Sequence, residues 1–411
     1  MIQLNRNNKQ VIILFGASVI GMLFGIINSA LNTNYLDPAL YGDVRYVQNI
    51  INFFSSILLL GFFVSGSRLL ALSSDENESR EIRGAMVFIL SITLMILMLI
   101  MGLFAFISYS SYEAEMMYLY IASIPTCGNV IFLNYINTTA QGDNHIKRMA
   151  IARALPSIAY LMLAAPIFYF YGASSLLMLI LFNGSAVIIL GIIILSTKPC
   201  FKKLKISLAL LYNENKKYGF HVYLGSIAGV STSYIAGITL GQFCDSNVNV
   251  GFYTLALTLS TPLSLLPTII GTTYFKNFAT QNKINVSLIK GSIWLTVISS
   301  IVFIIGIRLL VDIVYPDNYS LVAIYASWLA LATSCHGLGD MINRFLGAHG
   351  QGKQIRNSSY ACGFVVLIGS VVLVYVLGIR GAIITRILGS MVYLIMMVYY
   401  YKRFTQYKLS N

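Results

Sequence analysis

Residues 84–108 read GAMVFILSITLMILMLIMGLFAFIS, a run without one charged side chain. The run is far longer than a strand and exceeds the roughly 20 apolar residues that a helix needs to cross the hydrocarbon core of a bilayer. Similar runs lie on both sides of it, separated by short polar breaks. Twelve are legible, at about 11–31, 46–67, 84–108, 117–138, 150–171, 174–196, 219–241, 251–273, 289–310, 320–342, 358–378 and 381–401. The composition agrees, with 57% hydrophobic and 10% charged residues and a mean hydropathy of +0.76. A water-soluble domain of this length would have to expose most of that apolar surface. The chain therefore reads as an all-α, polytopic membrane protein of about twelve transmembrane helices.

The formal net charge is +13. A nucleic-acid binder gathers its Lys and Arg on one solvated face, whereas here they fall between apolar runs, so no nucleic-acid partner is expected. Assigning alternate gaps to opposite sides places all but four of the 27 Lys and Arg on one side, among them Lys198, Lys202, Lys203, Lys205, Lys216 and Lys217. By the positive-inside rule that side is the cytoplasm, and both termini are cytoplasmic. The exceptions, Arg45, Arg308, Arg380 and Arg386, are expected at or just inside the outer face. The first apolar run is too long for a signal-peptide core and is expected to remain as the first span.

The longest cytoplasmic gap, 197–218, divides the chain into a six-helix lobe (1–196), a linker (197–218) and a second six-helix lobe with a cytoplasmic tail (219–411). The halves resemble each other locally. Tyr41-Gly42 opens the second span and Val250-Gly251 the eighth, 209 residues apart at the glycines; Ala140-Gln141-Gly142 leads to Arg148 as Ala348-His349-Gly350 leads to Arg356, 208 apart. Six spans return the chain to its starting side, so the repeat is parallel, with its pseudo-two-fold axis along the membrane normal, as in one class of transporter.

Polar residues within the spans mark the candidate site. In span two, Arg45, Asn49, Asn52 and Ser56 fall on one helical face, and Gln48 and Ser55 lie beside it. The 209-residue offset carries Arg45, Asn49 and Asn52 onto Thr254, Thr258 and Thr261 in span eight, a second polar stripe. Two such stripes are expected to line a central water-accessible cavity, where intramembrane polar groups are tolerated; interhelical hydrogen bonding is their other use. Arg308 has Asp312 four residues on, the spacing of a helix-surface ion pair. Arg386 has no acidic neighbour in sequence, and its guanidinium suits a phosphate, although snorkelling to the interface is also open to it. Asp340, the carboxylate placed inside a span, is followed at i+4 by Arg344 and is expected to pair with it. Pro125, Pro156, Pro166, Pro262 and Pro267 are expected to kink their helices.

Several familiar chemistries are absent. The five cysteines, Cys127, Cys200, Cys244, Cys335 and Cys362, show no ligand spacing, and neither do His145, His221, His336 and His349. The stretch from Gly347 to Gln354 approaches a phosphate-binding loop but lacks its Ser or Thr and sits between two spans. No metal or cofactor is expected, and any driving force comes from an ion gradient, the membrane potential or the substrate gradient.

Four short motifs resemble those of the O-antigen flippases, polysaccharide transporters of the multidrug, oligosaccharidyl-lipid and polysaccharide exporter superfamily. They are Tyr35-Leu36-Asp37-Pro38-Ala39-Leu40-Tyr41-Gly42, the segment from Gly61 to Arg68, Lys217-Tyr218-Gly219-Phe220, and Val250-Gly251-Phe252-Tyr253. Phe220-His221 stands where the family usually has Pro after the Tyr-Gly of span seven. The resemblance implies two six-helix lobes around a cationic cavity in the bacterial inner membrane. It further implies translocation of an undecaprenyl-diphosphate-linked oligosaccharide to the periplasmic leaflet by alternating access. In that scheme Arg45, Arg308 and Arg386 attract the diphosphate, while Asn49, Asn52, Thr254, Thr258 and Thr261 bond sugar hydroxyls. The expected partners are the lipid-linked oligosaccharide, the bilayer and other O-antigen assembly proteins. The rivals are a multidrug cation antiporter of the same superfamily, which favours buried carboxylates, and an O-antigen polymerase or ligase, which is an enzyme with a large periplasmic loop.

Overall fold

A computed structural model describes residues 6–73, 75–111, 114–278 and 280–410. The side chains of Arg6, Lys9, Lys276 and Lys408, counted above on the cytoplasmic side, lie outside those described. The described residues form helices and no strand. In chain order the helices are α1 (Arg6–Tyr35), α2 (Pro38–Leu58), α3 (Phe62–Leu72), α4 (Glu76–Ser110), α5 (Ala114–Ser123), α6 (Asn129–Gly142), α7 (Ile146–Tyr171), α8 (Ser175–Ser196) and α9 (Leu204–Glu214). There follow α10 (Phe220–Phe243), α11 (Val248–Ser260), α12 (Pro262–Thr273), α13 (Phe275–Phe278), α14 (Val286–Val314), α15 (Leu321–Ala348), α16 (Gly352–Leu377) and α17 (Ile379–Ser410).

Ten helical stretches among the described residues are long and apolar enough to cross a membrane, and α2 with α3 makes an eleventh, bent by 55°. The bend falls where Leu60 (φ 47°) and Gly61 (φ 82°) turn left-handed, which interrupts the i to i−4 ladder. The remaining expected span, 219–241, corresponds to α10, 24 residues without Asp, Glu, Lys or Arg. The prolines act differently from one another. Pro125 sits in a 3₁₀ turn between α5 and α6, and Pro262 opens α12, but Pro156 and Pro166 lie inside a continuous α7.

By contact the chain separates into two compact units, Met1–Leu36 with Val47–Ile227, and Asp37–Tyr46 with Ala228–Asn411. The opening of α2 thus belongs to the second unit. Gly42 is the reason: a Cβ there would stand 2.0 Å from the Asn247 carbonyl oxygen, so only Gly allows the approach. Asn247 Nδ2 also donates to Asp43 Oδ1 at 2.8 Å. Residues 197–218, expected as a linker, carry α9 and most of a π-turn at Asn215–Gly219 and pack on the first unit. There Cys200 N donates to the Arg80 carbonyl, and Asn215 Nδ2 to that of Leu60.

In the first unit a buried ion cluster ties this segment down. Arg83, 5% exposed, binds Asp143 Oδ2 at 3.1 Å, Glu76 Oε1 at 2.9 Å and the Thr197 carbonyl at 3.1 Å, while Arg148 approaches Asp143 at 3.5 Å. In the second unit small residues let helices approach closely. A Cβ at Gly337 would meet the Ser264 backbone at 2.6 Å, and one at Gly339 the Tyr393 ring at 2.7 Å.

The turns after α6 and α15 are closed by the same bonds. His145 N donates to Ala140 O and Asn144 N to Gln141 O; Gln351 N donates to Leu346 O and Gly350 N to Gly347 O. Asn144 (φ 57°) and Gly350 (φ 69°) are both left-handed, which is the C-terminal capping geometry in which the left-handed residue ends a helix. Every pair is 206 residues apart, two short of the 208 read from the letters. The left-handed residue sets the structural match, whereas the shared Ala and Gly merely lie close to it.

Removing the Arg83 guanidinium leaves Asp143 buried with Arg148 as its remaining ion partner, and breaking such a pair costs about 3–5 kcal/mol. Arg83→Leu is expected to lower the thermal midpoint in detergent by several degrees, and adding Asp143→Asn to restore part of that loss.

Candidate functional site

In the first unit, α2 presents its amides to α8. Gln48 Nε2 donates to Asn183 Oδ1 at 3.4 Å, both side chains being buried. Asn49 and Asn52 are half-buried on the same helix, and Ser56 Oγ donates back to the Asn52 carbonyl. Two further amides that the sequence reading passed over join them on α1. Asn28 Nδ2 donates to the Ser157 carbonyl at 2.9 Å, and Asn32 Oδ1 accepts from the Tyr160 hydroxyl. Tyr160 in turn packs on Phe182, beside Asn183. Asn28 Oδ1, Asn32 Nδ2, Asn49 Nδ2 and Asn183 Nδ2 are buried without a hydrogen-bond partner among the described residues. Each of these amides is an uncharged group with unspent donor or acceptor capacity. Their signal was Asn28 and Asn32, an i, i+4 pair within an apolar helix.

In the second unit, Arg45 lies with its guanidinium 4.9 Å from the Tyr41 ring centroid, and Tyr41 meets Tyr319 edge-on at 6.1 Å. Gly42 and Gly251, matched by the sequence repeat, touch: a Cβ on Gly251 would be 3.2 Å from the Gly42 Cα. Thr254 and Thr258 on α11 and Thr261 at its C-cap form one half-buried stripe, and Ser264, Thr268 and the exposed Thr272 extend it along α12. The Thr258, Thr261 and Thr272 hydroxyls donate to carbonyls four residues earlier, and the single Thr268 proton is shared between the Ser264 carbonyl at 2.8 Å and Asp340. Each hydroxyl oxygen keeps acceptor capacity.

The stripe reaches Asp340 on α15, where Thr268 Oγ1 donates to Oδ2 at 3.4 Å. The Tyr393 hydroxyl donates to Asp340 Oδ1 at 3.0 Å and accepts from Asn343 Nδ2 at 2.8 Å, and the His336 ring stacks on Tyr393 at 4.6 Å. The expected Asp340–Arg344 salt bridge is not formed. Asp340 turns toward α12 and α17, while Arg344 is exposed and lays its aliphatic stem against Gly271. His336, Asp340 and Asn343 recur at helical spacing, so the stripe was present in the sequence; its partner Tyr393 comes from another helix.

Arg386 on α17 is half-buried, and its Nε has no hydrogen-bond partner among the described residues. It lies near Tyr253, His336 and Cys362, on α11, α15 and α16. Arg308 is elsewhere: it pairs with Asp312 at 3.2 Å on the exposed face of α14. Arg45, the threonines and Arg386 thus share the second unit, Asn49 and Asn52 belong to the first, and Arg308 stands apart in an ion pair. Among the described residues no three His, Cys, Asp or Glu side chains meet as a metal would require. All five cysteines are unpaired.

A family model described as "Polysaccharide biosynthesis protein" matches residues 8–275. The chain belongs to this family. Its fold is also that of solved transporters of the MOP superfamily. A lipid II flippase, MurJ, in an inward closed conformation, superposes with a TM-score of 0.68 at 12% identity, covering 95% of this chain and 87% of that one. A multidrug resistance MATE transporter in an inward-facing conformation gives 0.68 at 14% identity over 98% and 99%. A point mutant of the MATE transporter VcmN from Vibrio cholerae gives 0.57 at 13% over 96% of each chain. These proteins are transporters and flippases, and none of them is described as an enzyme. A comparison with curated proteins returns no match.

Tyr393→Phe removes a donor from Asp340 and the acceptor of Asn343, an expected cost of about 1–3 kcal/mol. Thermal unfolding in detergent should show it, whereas Arg308→Ala, which opens only an exposed pair, should change stability by less than about 1 kcal/mol.

Proposed function

We propose that this protein is a flippase that carries an undecaprenyl-diphosphate-linked oligosaccharide, an O-antigen repeat unit, from the cytoplasmic to the periplasmic leaflet of a bacterial inner membrane. The observation that carries the reading is the match to a polysaccharide-biosynthesis family in a chain whose fold is that of a lipid II flippase. The distribution of Lys and Arg supports cytoplasmic termini. Alternating access of two six-helix lobes around a central cavity is the mechanism proposed with it.

The physical problem is the head group, since neither a diphosphate nor a sugar crosses hydrocarbon unaided. Arg386, with an unmatched buried Nε, is the group best suited to hold a phosphate oxygen, because guanidinium offers paired donors to phosphate. Arg45 assists as the second cation. Asn49, Asn52, Thr254, Thr258 and Thr261 offer amide and hydroxyl groups to sugar hydroxyls. Arg308 was proposed for the same role; its pairing with Asp312 makes it the weakest member of the set.

One observation favours a second reading. Asp340 is a carboxylate inside a span, held by Tyr393 and Thr268, and an intramembrane carboxylate suits a cation antiporter like the MATE proteins. Complementation of a strain lacking its own flippase separates the two. Wild type and Arg308→Ala should restore surface polysaccharide, and Arg386→Ala and Arg45→Ala at matched expression should reduce it at least tenfold. Failure of the wild type with the correct lipid-linked sugar present, together with drug efflux that Asp340→Asn abolishes, would establish the antiporter instead.

A further inference from the structure

Arg380 is the one outer-end cation that the transport reading leaves unused. It lies at the start of α17, exposed, and makes no ion pair among the described residues. Along α17 it shares a face with Ile383, Ile384 and Ile387, the i, i+3, i+4, i+7 pattern of one helical stripe. On α15 the same spacing lines up Leu321, Ile324, Tyr325 and Trp328. The two stripes face each other across a cavity of about 490 Å³ that they line completely. Seven residues of helix rise roughly 10 Å, so the groove is about two turns deep. Apart from the tyrosine hydroxyl and the indole N–H, Arg380 supplies its polarity.

We propose that this groove binds one anionic phospholipid, with the phosphate on Arg380 and an acyl chain laid against the isoleucines and Trp328. The shape is that of a lipid, because the charge sits at one end of an apolar trough, at the level where a helix begins. The groove opens on a lipid-facing side: Leu321 is 47% and Trp328 60% exposed, so lateral diffusion delivers the ligand. Charge selects among lipids. One guanidinium, with no carboxylate among the lining residues, matches the single negative charge of a phosphodiester, whereas a diphosphate calls for further cations that the lining does not contain. The assignment to the outer leaflet rests on the orientation proposed above; the site and its test do not.

The two tryptophans of the chain make the test direct. Trp294, 65% exposed on α14, lies outside the groove and serves as the internal control. The full-length Trp294→Phe protein is reconstituted in phosphatidylcholine vesicles, and fluorescence of Trp328 is titrated with dibrominated phosphatidylglycerol or dibrominated phosphatidylcholine. A preference of about fivefold for the anionic quencher is expected, the size of one basic residue's attraction for anionic lipid. In Arg380→Gln on the same background the ratio should fall to near one. The Trp328→Phe protein, reporting from Trp294, should give a ratio near one with Arg380 intact. A ratio near one at Trp328 in the Arg380 protein overturns the proposal even if Arg380→Gln fails to fold, and so does a preference that survives Arg380→Gln. Relief of quenching by equimolar undecaprenyl diphosphate would overturn the phospholipid assignment and give the groove to an isoprenoid chain. None of these outcomes bears on whether the protein is a flippase.

Discussion

A peptide N–H or C=O left unpaired in hydrocarbon costs several kcal/mol, and every other feature of this chain is arranged under that constraint. It forces the apolar runs into helices, and it confines irregular backbone to places where protein covers it. The break between α2 and α3 follows the rule. At Leu60 and Gly61 the ladder is interrupted, and Asn215 Nδ2 supplies a donor to the freed Leu60 carbonyl. The helix is bent and the Leu60 carbonyl is still satisfied.

Because lipid tails are as apolar as leucine, burial of apolar area does not drive these helices together, and close approach and polar contacts take its place. The glycines at 42, 337 and 339 each admit a neighbour where a methyl would collide, and a methyl at Gly251 would be tightly crowded. The same logic makes intramembrane polar groups informative. In the first unit they include the amides Asn28, Asn32, Gln48 and Asn183, buried hydroxyls and a cation, Arg153, which donates to Ser18 Oγ at 3.1 Å, whereas the second holds Arg386, Asp340 and His336 with Tyr393 between them. The amides suit hydroxyl-rich ligands, and the charged group of the second unit suits an anion or a coupling cation.

Part of the polar pattern was legible from spacing. Thr254, Thr258 and Thr261 do form one stripe, and the Arg308–Asp312 pair follows from the i+4 rule. The same rule failed for Asp340 and Arg344, because it describes which side chains can meet on an isolated helix and not which partners a neighbouring helix offers. Tyr393 and Thr268 come from α17 and α12 and take the carboxylate first. Likewise Asn144 and Gly350 align the two turns by conformation, at an offset the letters alone misplace by two residues.

The amino-acid sequence by itself determined that the chain is helical and crosses a membrane many times, because run length and charge distribution are local properties that the bilayer reads directly. It also carried the polar stripes, since helical periodicity is written in the spacing of residues. Tertiary structure decided what those stripes touch: the opening of α2 joins the second unit, residues 197–218 are packed in place, and Arg380 heads an apolar groove. Such assignments depend on contacts between residues far apart in the chain, as between Gly42 and Asn247, and periodicity holds no information about them.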